Sequence, residues 1–146
     1  MTLNYIDDVG AALTDGLNAG TFAAGSFTAE EIFIPKIERA RMGDDWHCWV
    51  VPADLNSTRV GRRRTRSESR FDIGLIKRLP DKAVATVKTC LRLCHQVHDY
   101  VEKDLAQLVK HDLTSAEFDP LYSEEHLRQI SVFMSILTVS YRRRPA

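Results

Sequence analysis

At Pro80 the chain changes period. Before it, Phe71, Ile73, Leu75 and Leu79 alternate with Arg70, Asp72, Gly74 and Arg78, the period-two pattern of a strand with one buried face. After it, Val84, Val87, Leu91, Cys94, His98, Val101, Leu105 and Leu108 step by three and four. That spacing predicts a helix opened by Pro80-Asp81 and running to about His111, roughly 40 Å long at 1.5 Å per residue. A strand that feeds so long an amphipathic helix needs a sheet for the helix to lie on. The expected class is α+β: an antiparallel β-sheet with a long α-helix packed across it, plus an N-terminal helix.

The remaining pieces fit that class. Ile6, Val9, Leu13 and Leu17 mark one face of the N-terminal helix, stopped near Gly20. Residues 21–28 read as a connection, Glu31-Ile32-Phe33-Ile34 as a short strand ended by Pro35, and residues 36–45 as a charged loop. Trp46-His47-Cys48-Trp49-Val50-Val51 reads as a strand stopped by Pro52. It pairs with the strand at Phe71 as an antiparallel hairpin, with an extended arm at about residues 53–69 in place of a tight turn. Residues 117–122 read as a short extended piece and Ser123-Glu124-Glu125 as the start of a helical turn. Residues 130–141 read as a long strand, with Phe133, Leu137, Val139 and Tyr141 on one face and Val132, Met134 and Ile136 on the other. An antiparallel sheet usually leaves one face wet. Two apolar faces therefore call for a two-sided core within the chain, covered by the N-terminal helix, or for another subunit.

The arm is the densest charge feature. Arg59, Arg62, Arg63, Arg64 and Arg66 place five arginines in eight residues, in a chain whose 20 basic and 20 acidic side chains cancel. Zero net charge disfavours duplex binding as the main task, so the basic character is local. Arginine makes forked contacts with carboxylates and phosphates. The arm can be simply solvated, can dock on acidic patches of a neighbouring subunit (Asp44, Asp45, Glu124 and Glu125 are available), or can line a channel that carries DNA. Arg142, Arg143 and Arg144 either form a soluble tail or reinforce the surface that the arm serves. Trp46 and Trp49 offer large apolar area for a core or an interface, and Phe133 and Tyr141 join them as packing residues.

One domain of 146 residues with 44% hydrophobic and 27% charged residues is expected. No apolar run approaches the ~20 residues of a membrane helix, and Met1-Thr2-Leu3-Asn4-Tyr5 shows no signal-peptide pattern. Cys48, Cys90 and Cys94 do not suggest a disulfide framework, so synthesis in a reducing cytoplasm is expected.

Constellations that could carry chemistry each have a plainer account. Cys90, Cys94, His95 and His98 have the residue types of a zinc site, but Cys94 and His98 occupy regular places in the apolar stripe, and four ligands on one helix enclose a metal poorly. His47 and Cys48 cannot form a nucleophilic dyad because strand neighbours point to opposite faces. Ser123-Glu124-Glu125-His126 matches helix-start chemistry, and His111-Asp112 a helix C-terminus that favours a cationic histidine. No phosphate loop or nucleophile elbow is present. No catalysis, cofactor or resident metal is expected.

The order of pieces resembles a known family. The residues that carry the likeness are Ile32-Phe33-Ile34-Pro35, Val50-Val51-Pro52, Ser57-Thr58-Arg59, the alternating strand over residues 70–78, Pro120-Leu121-Tyr122, His126-Leu127-Arg128 and the closing strand over residues 133–142. From about Glu31 to Arg142 the chain resembles the small neck and tail-completion proteins of tailed bacteriophages, most of all the tail-terminator family. The resemblance implies a non-enzymatic virion protein that forms a hexameric ring, caps the tail tube and joins it to the head connector, with the genome passing through the lumen. It also implies a ring wall built of sheet and helix, with loops that engage the rings above and below. A head-completion protein (stopper or adaptor) of the same neck, or a nucleic-acid-binding accessory factor using the arm, are the alternatives.

Overall fold

A computed structural model describes residues 5–32, 45–59, 65–79, 83–119, 121–122 and 124–144. The elements in chain order are α1 (Tyr5–Ala19), β1 (Phe27–Glu31), β2 (Trp46–Arg59), β3 (Thr65–Arg78), α2 (Val84–Asp104), β4 (Gln107–Leu108), β5 (His111–Phe118), α3 (Glu124–Ile130) and β6 (Val132–Arg143). The strands form one sheet in the order β1-β2-β3-β6-β5-β4.

The sheet is mixed, which corrects the expectation of an antiparallel one. β2–β3, β3–β6, β5–β6 and β4–β5 are antiparallel, but β1 runs parallel to β2, with Ala29 opposite Cys48. A parallel neighbour needs a long crossover, and the stretch between Glu31 and Trp46 is long enough to supply it. β1 also begins at Phe27, inside the stretch that read as a connection; Phe33, Ile34 and Pro35 lie outside the described residues.

The C-terminal strand is central. β6 lies between β3 and β5, and Phe133, Leu137, Val139 and Tyr141 on one of its faces are fully buried. Both long helices pack on that face. α1 contributes Val9, Leu13 and Leu17, and α2 contributes Cys90, Leu93, Cys94, Val97 and Val101, to a single core with Cys48, Val50, Phe71, Ile73 and Leu75 of the sheet. Gly16 of α1 leaves no room for a Cβ against Leu105, the residue that follows α2. α1 touches both β1 and β4, the two edges of the sheet, so the sheet curls around it. The N-terminal helix therefore does not cover the second face.

α2 ends at Asp104, well before His111. Val109 (φ 48°) and Lys110 (φ 60°) adopt left-handed backbone and turn β4 into β5, with Leu108 opposite His111 and Gln107 opposite Asp112. Two successive positive φ angles suit a two-residue hairpin, although neither residue is the usual glycine or asparagine. Leu105 is buried and Leu108 half-buried, so the last two leucines of the stripe reach the core beyond the end of α2. His111 is 1% exposed and its Nδ1 lies 2.7 Å from the Val109 carbonyl. It opens a strand and does not cap a helix.

The buried face of α2 is also turned from the expected stripe. Cys94 and Val101 belong to both, but Cys90, Leu93 and Val97 complete the core, while Val84 is 72% exposed and Leu91 and His98 are half-buried.

Candidate assembly surfaces

The hairpin extends as a continuous ladder. β2 and β3 stay paired through Asn56–Glu68, Thr58–Arg66 and Arg59–Thr65, with one irregularity between Pro52 and Asp54. Arg59 and Arg66 thus sit on successive rungs at the end of the ladder. Arg62, Arg63 and Arg64 lie outside the described residues.

Three of the four aromatic packing residues are core members. The Trp46 ring is edge-on to Phe133 at 5.8 Å and carries the Lys77 ammonium 5.6 Å from its centroid. Phe133 stacks on Tyr122 at 5.8 Å. Tyr141 is fully buried and its hydroxyl donates to the Leu105 carbonyl at 2.8 Å. Burial pushes that hydroxyl's pKa up, so it stays neutral.

Trp49 is different. It lies on the face of the sheet opposite the helices and packs with Met134 against Ile76 and Val132. Gly74 stands directly opposite both Trp49 and Ile136 in the register. A Cβ built on Gly74 would meet nothing closer than 3.9 Å. The result is a notch in the middle of the sheet, bordered by half-buried Trp49 and Ile136. Toward the arm the same face turns polar: the Thr138 hydroxyl donates to Asp72 at 2.8 Å and the Thr114 hydroxyl to Glu68 at 3.1 Å.

The C-terminal arginines do not form a loose tail. Arg142 and Arg143 belong to β6. Arg144 holds Asp112 at 3.1 Å through Nε, and its backbone N–H donates to the Lys110 carbonyl at 2.9 Å. Glu124 and Glu125 lie in the first turn of α3 and are exposed, with Glu124 3.9 Å from Arg128 one turn on. Asp45 is exposed; Asp44 lies outside the described residues.

The cysteines and histidines do not converge. Cys90 and Cys94 point into the core, at 2% and 0% exposure, and burial pushes the Cys94 thiol up to about 11. Cys48 is fully buried and also raised by burial. His95 faces outward, 3.3 Å from Asp99. Among the described residues no group of three or more metal-ligating side chains gathers.

His98 and Asn18 have roles that the sequence did not reveal. His98 Nε2 lies 3.0 Å from the carbonyl of Ala116 in β5; a carbonyl only accepts, so this nitrogen carries the proton. Asn18, near the end of α1, accepts from the Ala29 N–H at 2.7 Å and donates to the Ala29 carbonyl at 3.1 Å. Its carboxamide thus supplies the two bonds that a further strand would make to the outer edge of β1. Each helix guards one margin of the curled sheet, where open backbone groups would otherwise template pairing with another chain.

No family model matches the sequence, and no curated protein matches it significantly. A solved structure whose name describes no activity aligns with 96% of this chain and 93% of its own at 13% sequence identity and a TM-score of 0.48; that likeness assigns nothing to this chain. No helix among the described residues is long and apolar enough to cross a membrane.

Proposed function

We propose that the chain is a virion structural protein of the tail-terminator kind, which assembles with copies of itself into a ring, as a hexamer, at the junction of tail tube and head connector. The apolar notch over Gly74 carries this reading. Both long helices are spent on the other face of the sheet, and between Trp49 and Ile136 the Gly74 position leaves room for added atoms. Glycine inside a strand often marks such a close approach. A ring closes through head-to-tail contacts in which each copy offers a notch on one side and a filling group on the other.

On this reading the arginines of the arm, Arg59, Arg62, Arg63, Arg64 and Arg66, serve contacts with connector or tube proteins, or with DNA passing through the lumen without sequence preference. Arg142, Arg143 and Arg144 extend the same basic end. Charge complementarity there sets orientation more than affinity. The protein performs no catalysis and holds no cofactor.

Gly74→Val tests the notch. Valine suits a strand better than glycine, so thermal stability stays level or rises. Ring assembly, followed by sedimentation velocity, falls. A variant that assembles as the wild type does removes the notch from the account.

A further inference from the structure

The outer face of α2 carries a charge pattern that reverses about its middle. At about 100° per residue, Lys88 and Glu102 lie close to the meridian of His95, one two turns before it and one two turns after. Arg92 and His98 flank it at shorter range, with Asp99 beside His98. Lys88 and Arg92 are exposed, as are the side chains of His95 (76%), Asp99 (44%) and Glu102 (51%). The first half of the face is basic and the second half acidic.

Two surface cavities flank His95. One, of about 380 Å³, is lined by Lys88, Leu91, Arg92, His95 and Gln96. The other, of about 400 Å³, is bordered by Leu91, His95, His98, Asp99, Phe118 and Leu121, and Leu121 is 46% exposed. A two-fold axis lying in the interface and crossing the helix at His95 carries Lys88 of an antiparallel second copy over Glu102. It carries Arg92 of that copy over the Asp99 carboxylate, which lies on the same lateral side of the helix.

We propose that this face of α2 is a two-fold contact between two copies of the chain. The contact is isologous, so every attraction occurs twice. A parallel arrangement would set Lys88 against Lys88 and Glu102 against Glu102. A partner of uniform charge would attract one half of the helix and repel the other. The antiparallel second copy satisfies both halves. The contact lies on the side of the sheet away from the Gly74 notch, so it stands or falls independently of the ring.

His95→Cys provides the direct test. Antiparallel helices pack with axes about 8–10 Å apart. Less two Cα radii of about 2.3 Å, the paired Cα atoms at the axis come about 4–5 Å apart, within disulfide range. Under copper–phenanthroline oxidation the variant forms a covalent dimer far faster than Ser115→Cys, an exposed control on β5; Cys48, Cys90 and Cys94 are buried and do not compete. In sedimentation equilibrium, Lys88→Glu weakens association about tenfold or more, because each reversal acts twice, and Lys88→Glu combined with Glu102→Lys restores it. Cross-linking of His95→Cys no faster than the control, or a charge exchange that fails to restore association, overturns the proposal whether or not the protein forms rings.

Discussion

Removing the Asn18 carboxamide should destabilise the protein, and the sign of the effect is diagnostic. Asn18 is an exposed residue near the end of α1. On helix propensity alone, Asn18→Ala should stabilise by about 0.5 kcal/mol. Against this stand the two bonds to Ala29, at 2.7 and 3.1 Å. A net contribution of about 0.5–1.5 kcal/mol each makes the loss about 1–3 kcal/mol. Ala29 is only 4% exposed, so water replaces the amide poorly. The expected net loss is about 0.5–2.5 kcal/mol, read in urea denaturation as a lower midpoint with an unchanged slope. Hydrogen exchange of the Ala29 amide should accelerate in the same variant, because the guarded edge opens locally. If Asn18→Ala is as stable as the wild type or more so, with exchange at Ala29 unchanged, the strand-edge role of this side chain is refuted.

Three further outcomes are expected. Tyr141→Phe removes a fully buried hydroxyl and its bond to the Leu105 carbonyl, which should cost about 1–2 kcal/mol in urea denaturation; a neutral result would mean that the carbonyl finds another donor. Alkaline pH should destabilise the fold. Burial raises the Cys48 and Cys94 thiols above their unfolded value of 9.0, so above about pH 9 the unfolded chain releases protons that the folded chain keeps. Their stabilisation is complete below that pH and is lost as pH rises, at up to about 1.4 kcal/mol per pH unit for each thiol. Cys94 stops adding to the loss near its own folded value of about 11, and unfolding free energies that are flat from pH 8 to 10 would contradict it. Replacing Arg62, Arg63 and Arg64 by serine should leave the melting temperature unchanged and impair joining to the neighbouring ring in reconstituted particles; normal joining would count against a partner role for the arm.

The strands legible in the sequence were those with one chemical rhythm. Phe71, Ile73 and Leu75 alternate because β3 has a core face, and the two apolar sides of residues 130–141 reflect the central place of β6 between β3 and β5. Direction is not written in such a rhythm, so the parallel pairing of β1 was invisible, and five residues with one buried alanine give β1 itself a faint signal. The overlong α2 has a specific cause. Leu105 and Leu108 continue the three-and-four spacing and do contribute to the core, but they follow the helix, and the turn that separates them from β5 uses Val109 and Lys110, where no glycine or asparagine marks left-handed backbone. In the candidate surfaces, the arginine density was evident, whereas the notch depends on the register that sets Gly74 beside Trp49 and Ile136. The zinc-like cysteines and histidines separated because a small rotation of the helix sends Cys90 and Cys94 inward and His95 outward. Asn18 had no detectable signal: its partner is a backbone peptide on another element.

Electron microscopy of the purified protein, alone and mixed with purified phage tail tubes, tests the central proposal most directly. A ring of tube-like diameter seated at one end of the tube is the predicted result. Particles that stay monomeric at high concentration and leave both tube ends bare would contradict it.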